Sequence, residues 1–271
     1  MKNKLSENSP IGIFDSGLGG LTVLRSLEKI LPNESFIYFG DTAHVPYGNK
    51  SINSVIQYSQ TIVEFFIKKN IKAIVIACNT ASSVAYEYLQ KKYSIPLFDV
   101  VSPCVDFIIN DPKIQKIGVI GTISTINSKA YSKQFNIKEN QYSIIEIPCP
   151  LFVPLIEEGW EKSIIAKEVA KIYLNKLNNK NIDKLILGCT HYPLMANTIK
   201  SVIHENTELI FSGDAVANKL YNYLLKNNLL NKISLNKKND FFVSDYPQKF
   251  DELASRFLGR KLNNVNHVIF D

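Results

Sequence analysis

The chain has 271 residues, 45% apolar and 21% charged, which suits a soluble globular protein with one large domain or two small ones. Its net charge of +6 comes from scattered lysines without a basic run, which speaks against nucleic-acid binding, and no apolar stretch nears the roughly 18 residues of a membrane span. Four cysteines without a CxxC spacing or a His/Cys cluster speak against a disulfide scaffold and a zinc site; the polar start Met1–Pro10 lacks a signal-peptide core, so a cytoplasmic chain with reduced thiols and a loose leader is expected.

In chain order, Ile11-Gly12-Ile13-Phe14 reads as a strand that ends in Asp15-Ser16-Gly17-Leu18-Gly19-Gly20 and feeds a helix from Leu21 to Leu31, stopped by Pro32. The glycines are expected to bring backbone N–H groups close to an anionic ligand; the spacing is not that of a dinucleotide fingerprint and there is no Walker lysine. Ser35–Phe39 is a strand, Gly40–Gly48 a loop, and Ser51 to Asn70 a helix. Ile74–Ala77 is a buried strand that runs straight into Cys78-Asn79-Thr80 and a further helix. Pro96–Val101 is another strand.

The pattern then repeats. Ile117–Thr122 parallels Ile11–Ser16, Ser143–Pro150 with the loop ending at Pro154 parallels the segment ending at Pro46, and Leu185–Gly188 runs into Cys189-Thr190-His191 as Ile74–Ala77 runs into Cys78. Three landmarks in register predict an α/β fold of two similar parallel-sheet, flavodoxin-like domains related by pseudo-two-fold symmetry, with right-handed crossovers and the site in the cleft between them. Glu208–Phe211 is a strand and Ser212 starts a helix; the tail adds a strand at Asp240–Ser244 and a helix at Phe250–Leu258. That tail has no counterpart at the end of the first unit. The expected division is 1–101 with 211–271 as a discontinuous first domain and 102–210 as the second.

Both Cys78 and Cys189 fall at the carboxyl end of a strand, where open α/β sheets bind ligands, and each stands at a helix start, which favours the thiolate. Two opposed thiols suit proton transfer at carbon from either face: one thiolate removes the proton and the other thiol returns one, inverting a stereocentre. A single-cysteine hydrolase would leave the second thiol idle, and a redox pair would want the sulfurs within disulfide reach. A two-lobed small-molecule-binding protein is the reading from another class. Cys104 and Cys149 are expected in the core, neither of them at a strand-to-helix junction, and Trp160 as partly exposed packing.

Phe14–Gly20, Gly40-Asp41-Thr42-Ala43-His44-Val45-Pro46-Tyr47-Gly48, Ala77–Ser82, Pro154–Gly159, Gly188–Pro193 and Ser212–Ala215, in that order, resemble the motifs of bacterial glutamate racemases from about Ile11 to Leu258. The resemblance implies cofactor-independent interconversion of L- and D-glutamate for peptidoglycan by a cytoplasmic homodimer, with no metal; aspartate racemase is the alternative within the superfamily. It implies that Cys78 serves the α-carbon of D-glutamate and Cys189 that of L-glutamate. Asp15 would lie near Cys78, and His191 with Glu157, or with its neighbour Glu158, near Cys189. Substrate would be held by Asp15, Ser16, Pro46, Tyr47, Gly48, Asn79, Thr80, Thr190 and His191, with Asp15 suited to the ammonium.

Overall fold

A computed structural model describes residues 6–111, 113–138, 142–233, 237–262 and 264–270. Among these residues the strands form two sheets, parallel throughout. The first contains β1 (Ile11–Asp15), β2 (Phe36–Gly40), β3 (Ala73–Ile76), β4 (Leu97–Phe98), β9 (Asn239–Val243) and β10 (Val265–His267), in the order β10-β9-β2-β1-β3-β4. The second contains β5 (Lys116–Gly121), β6 (Ser143–Pro148), β7 (Lys184–Gly188) and β8 (Glu208–Phe211), in the order β6-β5-β7-β8. The two orders match over β2-β1-β3-β4 and β6-β5-β7-β8. The pseudo-symmetry expected from the repeated landmarks is therefore one of topology as well as of sequence.

Helices cover both sheets. α1 (Leu21–Ile30) buries Leu21, Val23, Leu24 and Leu27, and α2 (Ile52–Lys68) buries Val55, Ile62, Val63 and Phe66. The α2 start is set by Ser51, whose side chain accepts the Ser54 N–H at 3.2 Å. α3 (Asn79–Lys92) follows β3, and α4 (Ser102–Ile109), with Pro103 in its first turn, lies in the crossing from the first sheet to the second. α5 (Ile123–Asn127), α6 (Ala130–Lys138), α7 (Phe152–Glu157), α8 (Ile164–Asn178) and α9 (Ala196–Lys200) flank the second sheet; α10 (Ser212–Lys226) and α11 (Pro247–Leu258) return the chain to the first.

Several sequence expectations change. Only Leu97–Phe98 of the Pro96–Val101 run pairs as a strand; Val100 and Val101 are buried connection, and an apolar run alone cannot separate the two. Residues 1–5 of the leader lie outside the described residues, but its end is tied down: the Glu7 carbonyl accepts from Lys72 Nζ at 2.6 Å. Lys72 is fully buried, pairs with buried Glu34 at 2.5 Å and donates to the Leu229 carbonyl at 2.8 Å, joining three segments at the amino ends of the strands. No helix among the described residues is long and apolar enough to cross a membrane.

Candidate active site

The loops after β1, β2, β3, β5, β6 and β7 close around one cavity of about 230 Å³, suited to a small metabolite. Each sheet presents its carboxyl edge to it. Of the residues singled out in the sequence, Ser16, Pro46, Tyr47, Gly48, Cys78, Asn79, Thr80, Glu157, Cys189, Thr190 and His191 line its wall. Asp15 does not: it is fully buried behind the wall.

Cys78 is the cap of α3, where its sulfur accepts the Ala81 N–H at 3.5 Å and donates to Ser16 Oγ at 3.8 Å. The Ala81 N–H, and the Ser16 hydroxyl when it turns to donate to the sulfur, favour the thiolate, as the helix start suggests. They are outweighed: burial first and the Asp15 charge second push the thiol up to about 12. Cys78 therefore rests as the acid.

Cys189 has a different setting. It is followed by a single-turn helix at Tyr192–Met195 and the short α9, not by a long helix like α3. Its nearby imidazole, His191, is buried, donates from Nε2 to Glu157 Oε1 at 3.0 Å, and lies edge-on to the Phe257 ring at 5.2 Å. Burial works against a charged imidazole, but hydrogen bonds to Cys189 and Glu157, with their charges, overcome it and raise His191 to about 10. The same bond holds the Glu157 carboxyl below its usual range despite partial burial. His191 is thus held as an imidazolium at neutral pH, a positive charge beside the Cys189 sulfur.

Asp15 and the glycine loop join the two halves. Asp15 Oδ2 accepts the Gly17 N–H at 3.0 Å, and Oδ1 accepts the Thr190 hydroxyl from the opposite half at 3.3 Å. Burial raises the Asp15 carboxyl, with His191 the leading opposing influence. A Cβ at Gly19 would stand 2.2 Å from Thr190 Oγ1 and 2.5 Å from His191 Nδ1; one at Gly20 would stand 2.4 Å from Asp15 Cβ. These glycines make room for protein, the Cys189 loop and Asp15, and neither lines the cavity. Further bonds cross between halves: Thr80 Oγ1 lies 3.0 Å from Thr122 Oγ1, and the Tyr131 hydroxyl donates to Asn79 Oδ1 at 2.7 Å. On the Pro46–Gly48 side, Asp41 accepts the Tyr47 hydroxyl at 2.5 Å and the Ser244 hydroxyl at 2.7 Å. No three His, Cys, Asp or Glu side chains among the described residues converge to hold a metal ion.

This arrangement agrees with what the chain is similar to. Residues 11–220 match the model of the Asp/Glu/Hydantoin racemase family. A glutamate racemase from Geobacter metallireducens is 44% identical over 258 residues, 95% of this chain and 96% of that one. The chain belongs to the Asp/Glu/Hydantoin racemase family, among its glutamate racemases. Among solved structures, a Francisella tularensis glutamate racemase in complex with D-glutamate superposes with a TM-score of 0.90 at 41% identity, covering 97% of this chain and 98% of that chain. A Bacillus anthracis glutamate racemase isoform gives 0.92 at 36% identity with the same coverage.

In this racemase-family chain, sequence reasoning passed over several wall residues. Thr122 follows β5 as Ser16 follows β1, so the repeat itself carried the signal. Cys149 was expected in the core away from any junction; it is buried but lies between β6 and α7 and lines the cavity. The helix after it opens on Phe152-Val153-Pro154, without the polar cap that marks a helix start in a sequence. Cys104, inside α4, is a core residue as expected, and Trp160 is half exposed.

Proposed function

We propose that this chain is a cofactor-independent glutamate racemase that works by two thiols. The observation that carries this reading is the placement of Cys78 and Cys189, from matching strand ends of two topologically equivalent sheets, in the wall of one cavity. With L-glutamate bound, the Cys189 thiolate takes the α-proton and the Cys78 thiol delivers its own proton to the opposite face of the planar intermediate. Cys189 ends as thiol and Cys78 as thiolate, and D-glutamate runs the same steps in reverse. His191, tied to Glu157, holds the positive charge beside Cys189. Among the described residues no cation acts on Cys78 in the same way; the α-ammonium of the substrate adds to His191 in offsetting Asp15 and brings the Cys78 thiolate within reach. The difficult step is building carbanion character next to a carboxylate, and the hydroxyl and N–H donors of Ser16, Asn79, Thr80 and Thr190 are fixed before substrate arrives, which is where such stabilisation is strongest.

The relatives named glutamate racemases support glutamate over aspartate. The division into 1–101 with 211–271 and 102–210 is our reading of the domains, supported by which strands enter which sheet, with the exception that Phe211, at the end of β8, pairs with β7 in the second sheet. D-Glutamate for peptidoglycan, a homodimer and a cytoplasmic location belong to the same proposal. The test is α-proton exchange in deuterated water by NMR, with D-glutamate, L-glutamate and aspartate supplied separately to wild type, Cys78→Ala and Cys189→Ala, and optical rotation followed in parallel. Exchange from both glutamate enantiomers with loss of rotation, and no racemisation by either variant, is expected. Exchange from aspartate alone would reassign the substrate; no exchange by the reduced wild type would end the racemase reading.

A further inference from the structure

The relay beside Cys189 depends on the end of α7, and that end is held by a helix from the tail of the chain. Glu157 is the last residue of α7; the turn that follows supplies N–H groups to the Pro154, Leu155 and Ile156 carbonyls, and Glu157 is the last carbonyl of the helix. Arg256, in α11, supplies donors from one guanidinium: Nη2 to the Ile156 carbonyl at 2.7 Å and Nη1 to the Glu157 carbonyl at 3.1 Å. Nη2 also meets the Glu161 carboxylate at 3.1 Å. Between these contacts the chain turns at Gly159, φ +80°, and a Cβ there would lie 3.5 Å from the same Nη2, so the turn wraps directly onto the guanidinium. A planar fork suits such a site and a lysine point charge does not. The adjacent Phe257 is fully buried and packs edge-on against the His191 ring.

The other end of α11 is anchored in the first sheet. Phe250 is buried 6.1 Å from the Tyr38 ring, and β9 and β10, on either side of α11 in sequence, join the edge of that sheet beyond β2. Helix α11 is therefore a strut from the sheet that carries Asp15 to the carboxylate and imidazole beside Cys189. We propose that Arg256 is a positioning residue for racemisation: by clamping the last turn of α7 it fixes Glu157 against His191, and so sets the proton affinity of the group that faces Cys189. This rests on the racemase reading only for its kinetic consequence. The charged and titratable groups around His191 are Glu157, Cys189 and Asp15; Lys249, also on α11, acts on Glu157, and Glu161 is held by Arg256.

The test follows the His191 ring by NMR across pH in the full chain, for wild type, Arg256→Ala, Arg256→Gln, Glu157→Gln and the double variant Arg256→Ala/Glu157→Gln. Thermal unfolding and the kinetics with each glutamate enantiomer are measured alongside. Glu157→Gln moves the His191 titration to lower pH. Arg256→Ala is expected to move it the same way by at least half as much, and the double variant no further than Glu157→Gln alone. With this, kcat falls about tenfold or more while KM changes less than about threefold. Should Arg256→Ala fail to fold, Arg256→Gln, which can satisfy at most part of the clamp, is read by the same criteria. An unmoved His191 in the Arg256 variants, or shifts that simply add in the double variant, overturns the proposal even if activity falls. A wild type that does not racemise glutamate would remove the kinetic reading, and the titration would still decide the role of Arg256.

Discussion

Gly19→Ala adds a single methyl group at the contact between the two halves of the site. The residue does not have positive φ, so alanine meets no backbone penalty and the effect is one of space alone. The new Cβ would fall 2.2 Å from Thr190 Oγ1 and 2.5 Å from His191 Nδ1, and reaching ordinary contact requires a retreat of roughly 1 Å. Neither neighbour is a loose chain end: Thr190 Oγ1 donates to Asp15, its carbonyl accepts from Thr22 at 2.8 Å, and the His191 ring is held by Glu157 and Phe257. The halves must part or the Cys189 loop must shift. Overpacking of this kind costs about 1–3 kcal/mol of stability, and a displacement near 1 Å at reacting groups costs on the order of 100-fold in rate. Gly17→Ala is the control within the same loop, because its Cβ would meet only the Val45 side chain, at 3.4 Å from Cγ2 and 4.0 Å from Cβ. Racemisation followed by circular dichroism, with thermal melts of both variants, checks this. A Gly19→Ala enzyme within about threefold of wild-type kcat, or a Gly17→Ala enzyme equally impaired, would refute the steric argument.

Asp15→Asn removes the charge that, after burial, does most to raise Cys78, so Cys78 should titrate at lower pH and alkylate faster at a fixed pH above neutrality. The pH dependence of thiolate absorbance and of iodoacetamide labelling, resolved by residue, reads this; an unchanged Cys78 profile would show that Asp15 does not act through charge. His191 is raised in the folded chain from 6.5 to about 10, so its contribution to stability is complete below pH 6.5 and is lost as pH rises toward 10. Melting temperatures between those limits should fall more steeply for wild type than for His191→Gln, and parallel curves would contradict the assignment. Lys72→Met leaves the buried Glu34 carboxylate without its cation, at a cost of about 3–5 kcal/mol and a loss of roughly 10 °C in Tm. Because Lys72 sits at the amino end of β3, away from the cavity, kcat per folded molecule at 25 °C should not change.

The parts of the fold that could be read ahead are those written in local pattern. Ile11–Asp15, Ala73–Ile76, Lys116–Gly121 and Lys184–Gly188 are short apolar runs that end on, or run directly into, a small or polar residue, and each is a central strand. Helix α4 was missed because Val100-Val101 before it continues an apolar run, and β10 because Val265–His267 is a short, mostly polar edge strand. Contacts between distant segments left no local trace. The glycines of the first loop read equally well as an anion cradle; only the presence of Thr190 and His191 against Gly19 decides for packing. Arg256 is one basic residue among many in the sequence, and its meaning comes from the α7 carbonyls it meets about a hundred residues earlier.

The asymmetry of the two thiols was nonetheless present in the sequence, in the places where the repeat fails to repeat. β1 ends in Asp15 where β5 ends in Gly121, so only the Cys78 half has a carboxylate behind its thiol. Cys78 is followed by Asn79-Thr80 and Cys189 by Thr190-His191, so only the second half has an imidazole at that point. A two-fold frame brings two cysteines to one cavity, and identical halves would give them equal proton affinities. These two substitutions separate them: burial and a carboxylate keep Cys78 protonated, while an imidazolium stands beside Cys189. The resting site then has its positive charge on the Cys189 side, at His191, and the substrate's ammonium supplies a cation on the other. Replacing His191 alone should therefore impair the Cys189 half of the exchange more than the Cys78 half. In deuterated water this is read from how substrate and product partition between washout and inversion. Equal impairment of the two halves would show that the departures from symmetry at Asp15 and His191 do not set the roles of the thiols.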